Sequence, residues 1–277
     1  MDKAIRGIIE LIFKMITSFS SDSKLTLSFT DYAPNVYKFV ESIMTTVTLP
    51  VGYSILGLFF LLEMQRIAYK VEQMGGSQFG FQTTGMTLVK LVLCKIAMDS
   101  ISLILKAISE VSIFLVGEIA KVEFASAVGQ NTVSIDKLME PISKSGFFEQ
   151  LVLFIIMLLV LILTIISTVI AHVLLLARMI ELYVLFAFSP IPIATMPNQE
   201  HSSIAKNFLK LFASGCIHGT VIYLVMLMYP LFIAQGLLNA SQLDVWNTIG
   251  TVAGFSFLLI FALMKTQQLS KAIVGAM

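Results

Sequence analysis

Between Gln150 and Ala177 the chain runs 28 residues without a Lys, Arg, Asp or Glu. As a helix this run would be roughly 42 Å long, more than the ~30 Å hydrocarbon core of a bilayer. A helix in a soluble core has no use for such a run, so it predicts a membrane span. Arg178-Met-Ile-Glu181 comes directly after it, then the apolar stretch Leu182 to Ala194, interrupted by Pro190 and Pro192. This order sets charge and irregular backbone at or near membrane depth. A bilayer tolerates them only where protein or a water-filled cavity covers them.

Composition extends the reading to the whole chain. Its 277 residues are 57% hydrophobic and 13% charged, where a globular domain carries roughly 25% charged residues. The expected fold is all-α: a polytopic helical membrane protein of five to six spans, with an N-terminal amphipathic helix and a proline-broken, bent or re-entrant element. A net charge of +1 does not suggest a nucleic-acid-binding surface. Cys94 and Cys216 sit in apolar helical sequence and read as small core residues, without a disulfide or metal site.

At the start of the chain Ile5, Ile8, Ile9, Ile12, Ile16 and Phe19 keep helical spacing, with Lys3, Arg6, Glu10 and Lys14 on the other face. The charges recur too often for a signal peptide, and the pattern predicts a helix that lies on the membrane or packs on a partner. With its polar linker this segment makes a first unit, residues 1–34, ahead of a membrane domain at 35–277. Span candidates lie at Ile43 to Leu62 (interrupted by Pro50 and Gly52), Met86 to Ile119, Phe147 to Ala177, Leu211 to Leu231 and Val245 to Met264. The proline element occupies Leu182 to Pro197. Gly75 to Gly85 reads as a turn and Lys121 to Gly146 as a polar connection. The serines of Asn198-Gln-Glu-His-Ser-Ser are expected to cap the next helix. Lys and Arg placement puts Lys206, Lys210 and the C-terminus on the cytoplasmic side, and the loop Gly236–Asn247 outside, whichever span count holds.

The second helix is physically odd. At 100° per residue Lys95, Asp99, Lys106 and Glu110 fall within an arc of about 60°, with Ser102 at its edge. A central charge costs about 2.5–3.5 kcal/mol on the translocon scale, and each Leu or Ile returns only about 0.3–0.6. These charges need partners, the i,i+4 pairs Lys95–Asp99 and Lys106–Glu110 among them. One reading is an interfacial helix with a solvated face. The favoured reading is a stripe facing a hydrated interior or a subunit seam.

Gly215-x-x-x-Gly219 and Gly250-x-x-x-Gly254 supply the small-residue spacing that lets helices approach closely, and are expected to pack the last two spans. His172 continues a stripe with Thr164 and Thr168, and His218 pairs in sequence with Ser214; both are expected to hydrogen-bond between helices. With His201, the three histidines lie on separate elements without Cys or carboxylate neighbours at ligand spacing, so no metal is expected. No phosphate loop, nucleophile triad or paired carboxylates appear, and neither catalysis nor a cofactor is expected.

The stretch Arg178-Met-Ile-Glu181-Leu-Tyr-Val-Leu-Phe-Ala-Phe-Ser-Pro190-Ile-Pro192-Ile-Ala resembles the TrbL-type family of polytopic membrane subunits of type IV secretion and conjugation machines, counterparts of the sixth VirB subunit. Phe208-Leu-Lys210-Leu-Phe212, Gly215 and His218-Gly219 resemble the family's next segment. The resemblance implies a non-enzymatic subunit of the cytoplasmic membrane that oligomerises and helps form the path for DNA or protein. Its implied partners are the machine's ATPases, its other membrane subunits and the bilayer, with transient contact to the translocating substrate. Arg178, Glu181, Pro190 and Pro192 then read as an assembly junction. A small-molecule or ion transporter is the competing class. It would need a second broken helix in inverted repeat, and Pro50-Val-Gly52 differs in setting from the Leu182–Pro197 element.

Overall fold

The structure is a computed structural model, and it describes residues 2–20, 27–74, 77–122, 147–240 and 245–276. Every regular element among them is helical: α1 (Asp2–Ser20), α2 (Phe29–Tyr32), α3 (Pro34–Ile43), a π-helical turn (Met44–Thr48), α4 (Leu49–Met74), α5 (Ser77–Asp99), α6 (Ile101–Lys121), α7 (Phe147–Phe188), α8 (Pro190–Ile193), α9 (Ser202–Ala240) and α10 (Val245–Val274). Among the described residues four stretches are long and apolar enough to cross a membrane: Pro34–Glu72, Gln150–Phe188, Ser202–Tyr229 and Gly254–Val274. The polar connection with Lys137 and Lys144 lies outside the described residues.

Several boundaries differ from the sequence reading. The long apolar helix does not stop at Ala177; α7 continues through Arg178 and Glu181 to Phe188. Charge taxes a membrane helix but leaves its backbone hydrogen bonds intact, so polarity alone does not end it. Pro50 does not interrupt its helix either. The π-turn ends on the bond from Leu49 N–H to the Met44 carbonyl, a wider ring immediately before the proline, and α4 continues to Met74. Thr45 and Thr46 donate to carbonyls one turn back, which offsets the disturbance. The expected turn at Gly75 to Gly85 is helical from Ser77 onward. The expected helix over Met86 to Ile119 is two helices meeting at Ser100, where Ser100 N–H still bonds the Ile96 carbonyl at 3.0 Å.

The chain forms two compact units. One gathers Met1–Thr26, Ser112–Arg178 and His218–Leu269. Its core holds Ile12, Val116, Val160, Ala171, Leu175, Ile222, Tyr223 and Met226. Ile5 and Ile12 of α1 are buried, so at these two positions the apolar face of that amphipathic helix is covered by its own chain. The other unit gathers Leu27–Val111, Met179–Ile217 and Ser270–Met277. Here Phe29 is the centre of an aromatic cluster, 5.7 Å from Tyr37, 5.4 Å from Phe186 and 5.9 Å from Phe212. Tyr183 Oη donates to the Phe29 carbonyl at 2.8 Å, which ties the short α2 to α7.

Candidate functional site

In the first unit, three consecutive residues of α9 engage three different helices. His218 Nε2 lies 2.9 Å from Thr266 Oγ1 of α10. The Thr266 hydroxyl proton is directed to the Leu263 carbonyl at 2.6 Å, so its oxygen accepts and His218 Nε2 is the donor. Gly219 meets α7: a Cβ built there would collide with the Arg178 guanidinium. Thr220 Oγ1 lies 3.0 Å from Ser112 Oγ of α6. Steps of 100° turn the three positions to different sides of α9, and the tripeptide His218-Gly219-Thr220 becomes a node that ties α6, α7 and α10 to it. Arg178, His218, Thr220, Thr266 and Ser112 are all buried there.

The glycines of α9 thus face α7 rather than the last span. Gly215 lies against Leu182, whose Cδ2 would be 3.0 Å from an added Cβ. Arg178 and Leu182, one turn apart on α7, fill the two notches that Gly219 and Gly215 leave. At Gly250 and Gly254 an added Cβ would meet nothing within 4 Å. Ser214 turns its hydroxyl to the Leu211 carbonyl at 2.8 Å, so the partner of His218 is Thr266, which sequence spacing did not suggest. His172 is exposed and its Nδ1 lies 2.8 Å from the Thr168 carbonyl one turn back. Glu181 is half-buried.

In the second unit the proline break is held by donors of its own and by two from other elements, Thr48 and Cys94. Pro190 and Pro192 carry no amide hydrogen, so the carbonyls of Phe186 and Phe188 lose their helical donors and α7 ends at Phe188. Ser189 bonds the Phe186 carbonyl with its N–H at 3.3 Å and its hydroxyl at 2.8 Å. Thr48, the last residue of the π-turn, donates to the Ala187 carbonyl at 2.6 Å. Cys94 Sγ reaches the Ile193 carbonyl at 3.3 Å, and Thr195 Oγ1 the Pro192 carbonyl at 2.8 Å. Gly52 lets the break come close: its Cβ would lie 3.1 Å from Pro190 Cβ and 3.2 Å from the Pro190 carbonyl oxygen. Gly52 of α4 is therefore the point at which the proline element comes closest to that helix.

Behind the break, the loop to α9 is capped by Asn198 rather than by the serines. Asn198 Oδ1 accepts from Glu200 N–H at 3.0 Å and His201 N–H at 3.1 Å, and its carbonyl from Ser202 N–H at 2.9 Å. The loop is strapped to α4, where Arg66 lies 3.9 Å from Glu63 and 3.8 Å from Glu200. The His201 ring lies 5.1 Å from Phe59.

Part of the charged stripe closes against α3 and α4 instead of pairing along its own helices. Asp99 accepts from Tyr53 Oη. Lys106 Nζ lies 3.7 Å from Glu41 and 5.1 Å from the Tyr37 ring centre, and Tyr37 Oη donates to Glu41 at 2.5 Å. Ser102 is half-buried, while Lys95 and Glu110 are exposed. The internal pairs Lys95–Asp99 and Lys106–Glu110 are not among the ion pairs of the described residues. Among those residues no three His, Cys, Asp or Glu side chains gather to hold a metal.

A chain whose described residues form only helices, with four candidate spans among them tied by buried polar contacts, is a multi-pass membrane protein. Its residues 13–190 match the family described as TrbL/VirB6 plasmid conjugal transfer like protein. That is well over half of the chain, and the protein belongs to this family of conjugation membrane subunits. The match ends at the first proline of the break, so the α9 node lies beyond it. No curated protein sequence matches the chain.

Proposed function

We propose that the protein is a non-enzymatic subunit of the cytoplasmic membrane that oligomerises in a type IV secretion or conjugative transfer machine and helps form the substrate path. The observation that carries this reading is the state of α5 and α6. Lys95 and Glu110 are exposed, and among the described residues neither has an ion-pair partner. Around them Val92, Leu93, Ile96, Leu103 and Phe114 are exposed as well. Each charge left against acyl chains would cost about 2.5–3.5 kcal/mol. A neighbouring subunit or a hydrated path removes that cost. On this reading α5 and α6 add a fifth membrane element to the four candidate spans, the break at Pro190 and Pro192 is re-entrant, and residues 1–34 precede a membrane domain at 35–277. The C-terminus is cytoplasmic. Arg178, Glu181, Pro190 and Pro192 form the assembly junction, and the machine's ATPases and other membrane subunits are the partners.

Mass measurement of the protein extracted in mild detergent tests the reading. A ring of several subunits is expected, and Lys95→Leu with Glu110→Leu should change its size or yield. A monomer or dimer that moves a small solute would replace the reading by the transporter class.

A further inference from the structure

The four lysines beyond His201 stand against a single acid, Asp244. Three of them, Lys206, Lys210 and Lys271, belong to the second unit, where the structure joins the start of α9 to the end of α10. The joint is direct. Ala276 N–H bonds the Lys271 carbonyl at 2.9 Å and Gly275 N–H the Ala272 carbonyl at 3.2 Å, with Gly275 at φ 67°. This is a glycine-terminated helix end. Lys210 Nζ donates to the Gly275 carbonyl at 3.2 Å, placing a cation at the negative end of α10. Lys206 lies one turn before Lys210 and is exposed; Lys271 lies one turn before Gly275 and is half-buried.

No acid of the described residues neutralises this patch. None of the three lysines has a carboxylate within ion-pair distance there, and Glu200, the acid nearest α9 in sequence, is engaged by Arg66. Lys206 and Lys210 are like charges at i,i+4, an arrangement that weakens a helix. Both lie within the first turns of the candidate span Ser202–Tyr229, and Lys271 within the last turn of Gly254–Val274. They are therefore about 5–12 Å along the helix axis from the ends of these segments, within the reach of long side chains to the headgroup layer.

We propose that Lys206, Lys210 and Lys271 bind the phosphodiester of an anionic phospholipid headgroup where α9 begins and α10 ends. The acyl chains would lie along the apolar surfaces of the two helices. This site is independent of the role proposed above, because it requires only the folded chain and a bilayer.

Native mass spectrometry of the full chain in detergent, titrated with phosphatidylglycerol or phosphatidylcholine, tests it. Phosphatidylglycerol should be retained about a hundredfold more tightly than phosphatidylcholine, and K206Q/K271Q should cut that preference to about fivefold, at about fivefold per lysine. This variant leaves the Lys210 cap in place, and its melting temperature should match the parent's. K38Q/K90Q, which removes two exposed lysines elsewhere, should keep the preference. Equal retention of both lipids, or a preference that K206Q/K271Q leaves unchanged, would overturn the site. Displacement of the lipid by millimolar inorganic phosphate would show a free-anion site instead. Displacement by a single-stranded oligonucleotide in a manner dependent on the same lysines would assign the patch to nucleic acid.

Discussion

A methyl group is the smallest side chain that Gly219 can be given, and the space it needs is held by the Arg178 guanidinium. The obstruction is the far end of a flexible side chain, so Gly219→Ala is expected to displace Arg178 rather than α7. Overpacking of this kind costs roughly 1–3 kcal/mol, to be read as a lower melting temperature of the detergent-purified protein. The effect should be non-additive: in Gly219→Ala with Arg178→Ala the glycine substitution should cost far less than it does alone. Equal cost in both backgrounds would mean that the two residues do not compete for one space. Thr266→Val tests the other arm of the node. It removes the acceptor for His218 Nε2–H with little change of shape, leaving a buried donor unsatisfied at about 1–3 kcal/mol. Thr266→Ser keeps the oxygen and should be close to neutral in the same melting experiment.

At the scale of elements, the proline break depends on a donor nearly 140 residues away in the chain. Thr48 supplies a hydroxyl proton to the Ala187 carbonyl, which Thr48→Val would strand. The expected loss is about 1–3 kcal/mol, with faster proteolysis of the Thr195–Ser202 loop; Thr48→Ser should restore both. The end of α7 was legible in Pro190 and Pro192, because a missing amide hydrogen and a ring clash act locally whatever the tertiary setting. What supports the break was not. Thr48 belongs to a hydroxyl-rich turn, Thr45-Thr46-Val-Thr48, just before Pro50, a signal that suggests a disturbed helix but names no distant partner. Gly52 read as an interruption and proves to be a contact surface. Arg178 and Glu181 read as the end of a span, yet α7 runs through them, since hydropathy reports the cost of a charge and says nothing of the backbone beneath it. His218 was singled out, but Thr266 was not, because only the folded chain sets them 2.9 Å apart.

The molecule as a whole must place α5 and α6 somewhere. They fall outside the four candidate spans because Lys90, Lys95, Asp99, Lys106, Glu110 and Glu118 interrupt their apolar sequence. Asp99 and Lys106 are answered by Tyr53, Glu41 and Tyr37, so the decisive positions are Lys95 and Glu110. A spin label on a cysteine at each position, in a chain carrying Cys94→Ser and Cys216→Ala, reports depth by its accessibility to oxygen and to a water-soluble relaxation agent. An interfacial pair of helices holds both labels at headgroup depth. A subunit seam or hydrated path holds at least one below it, yet reachable by the water-soluble agent, and gives a narrow label-to-label distance distribution in the solubilised assembly. Depth alone would not separate a path from a lipid-facing surface; accessibility to the polar agent does, because a charge buried in acyl chains without water would cost about 2.5–3.5 kcal/mol. Both labels at headgroup depth, in a protein that remains monomeric, would remove α5 and α6 from the membrane and leave the four apolar spans to act without them.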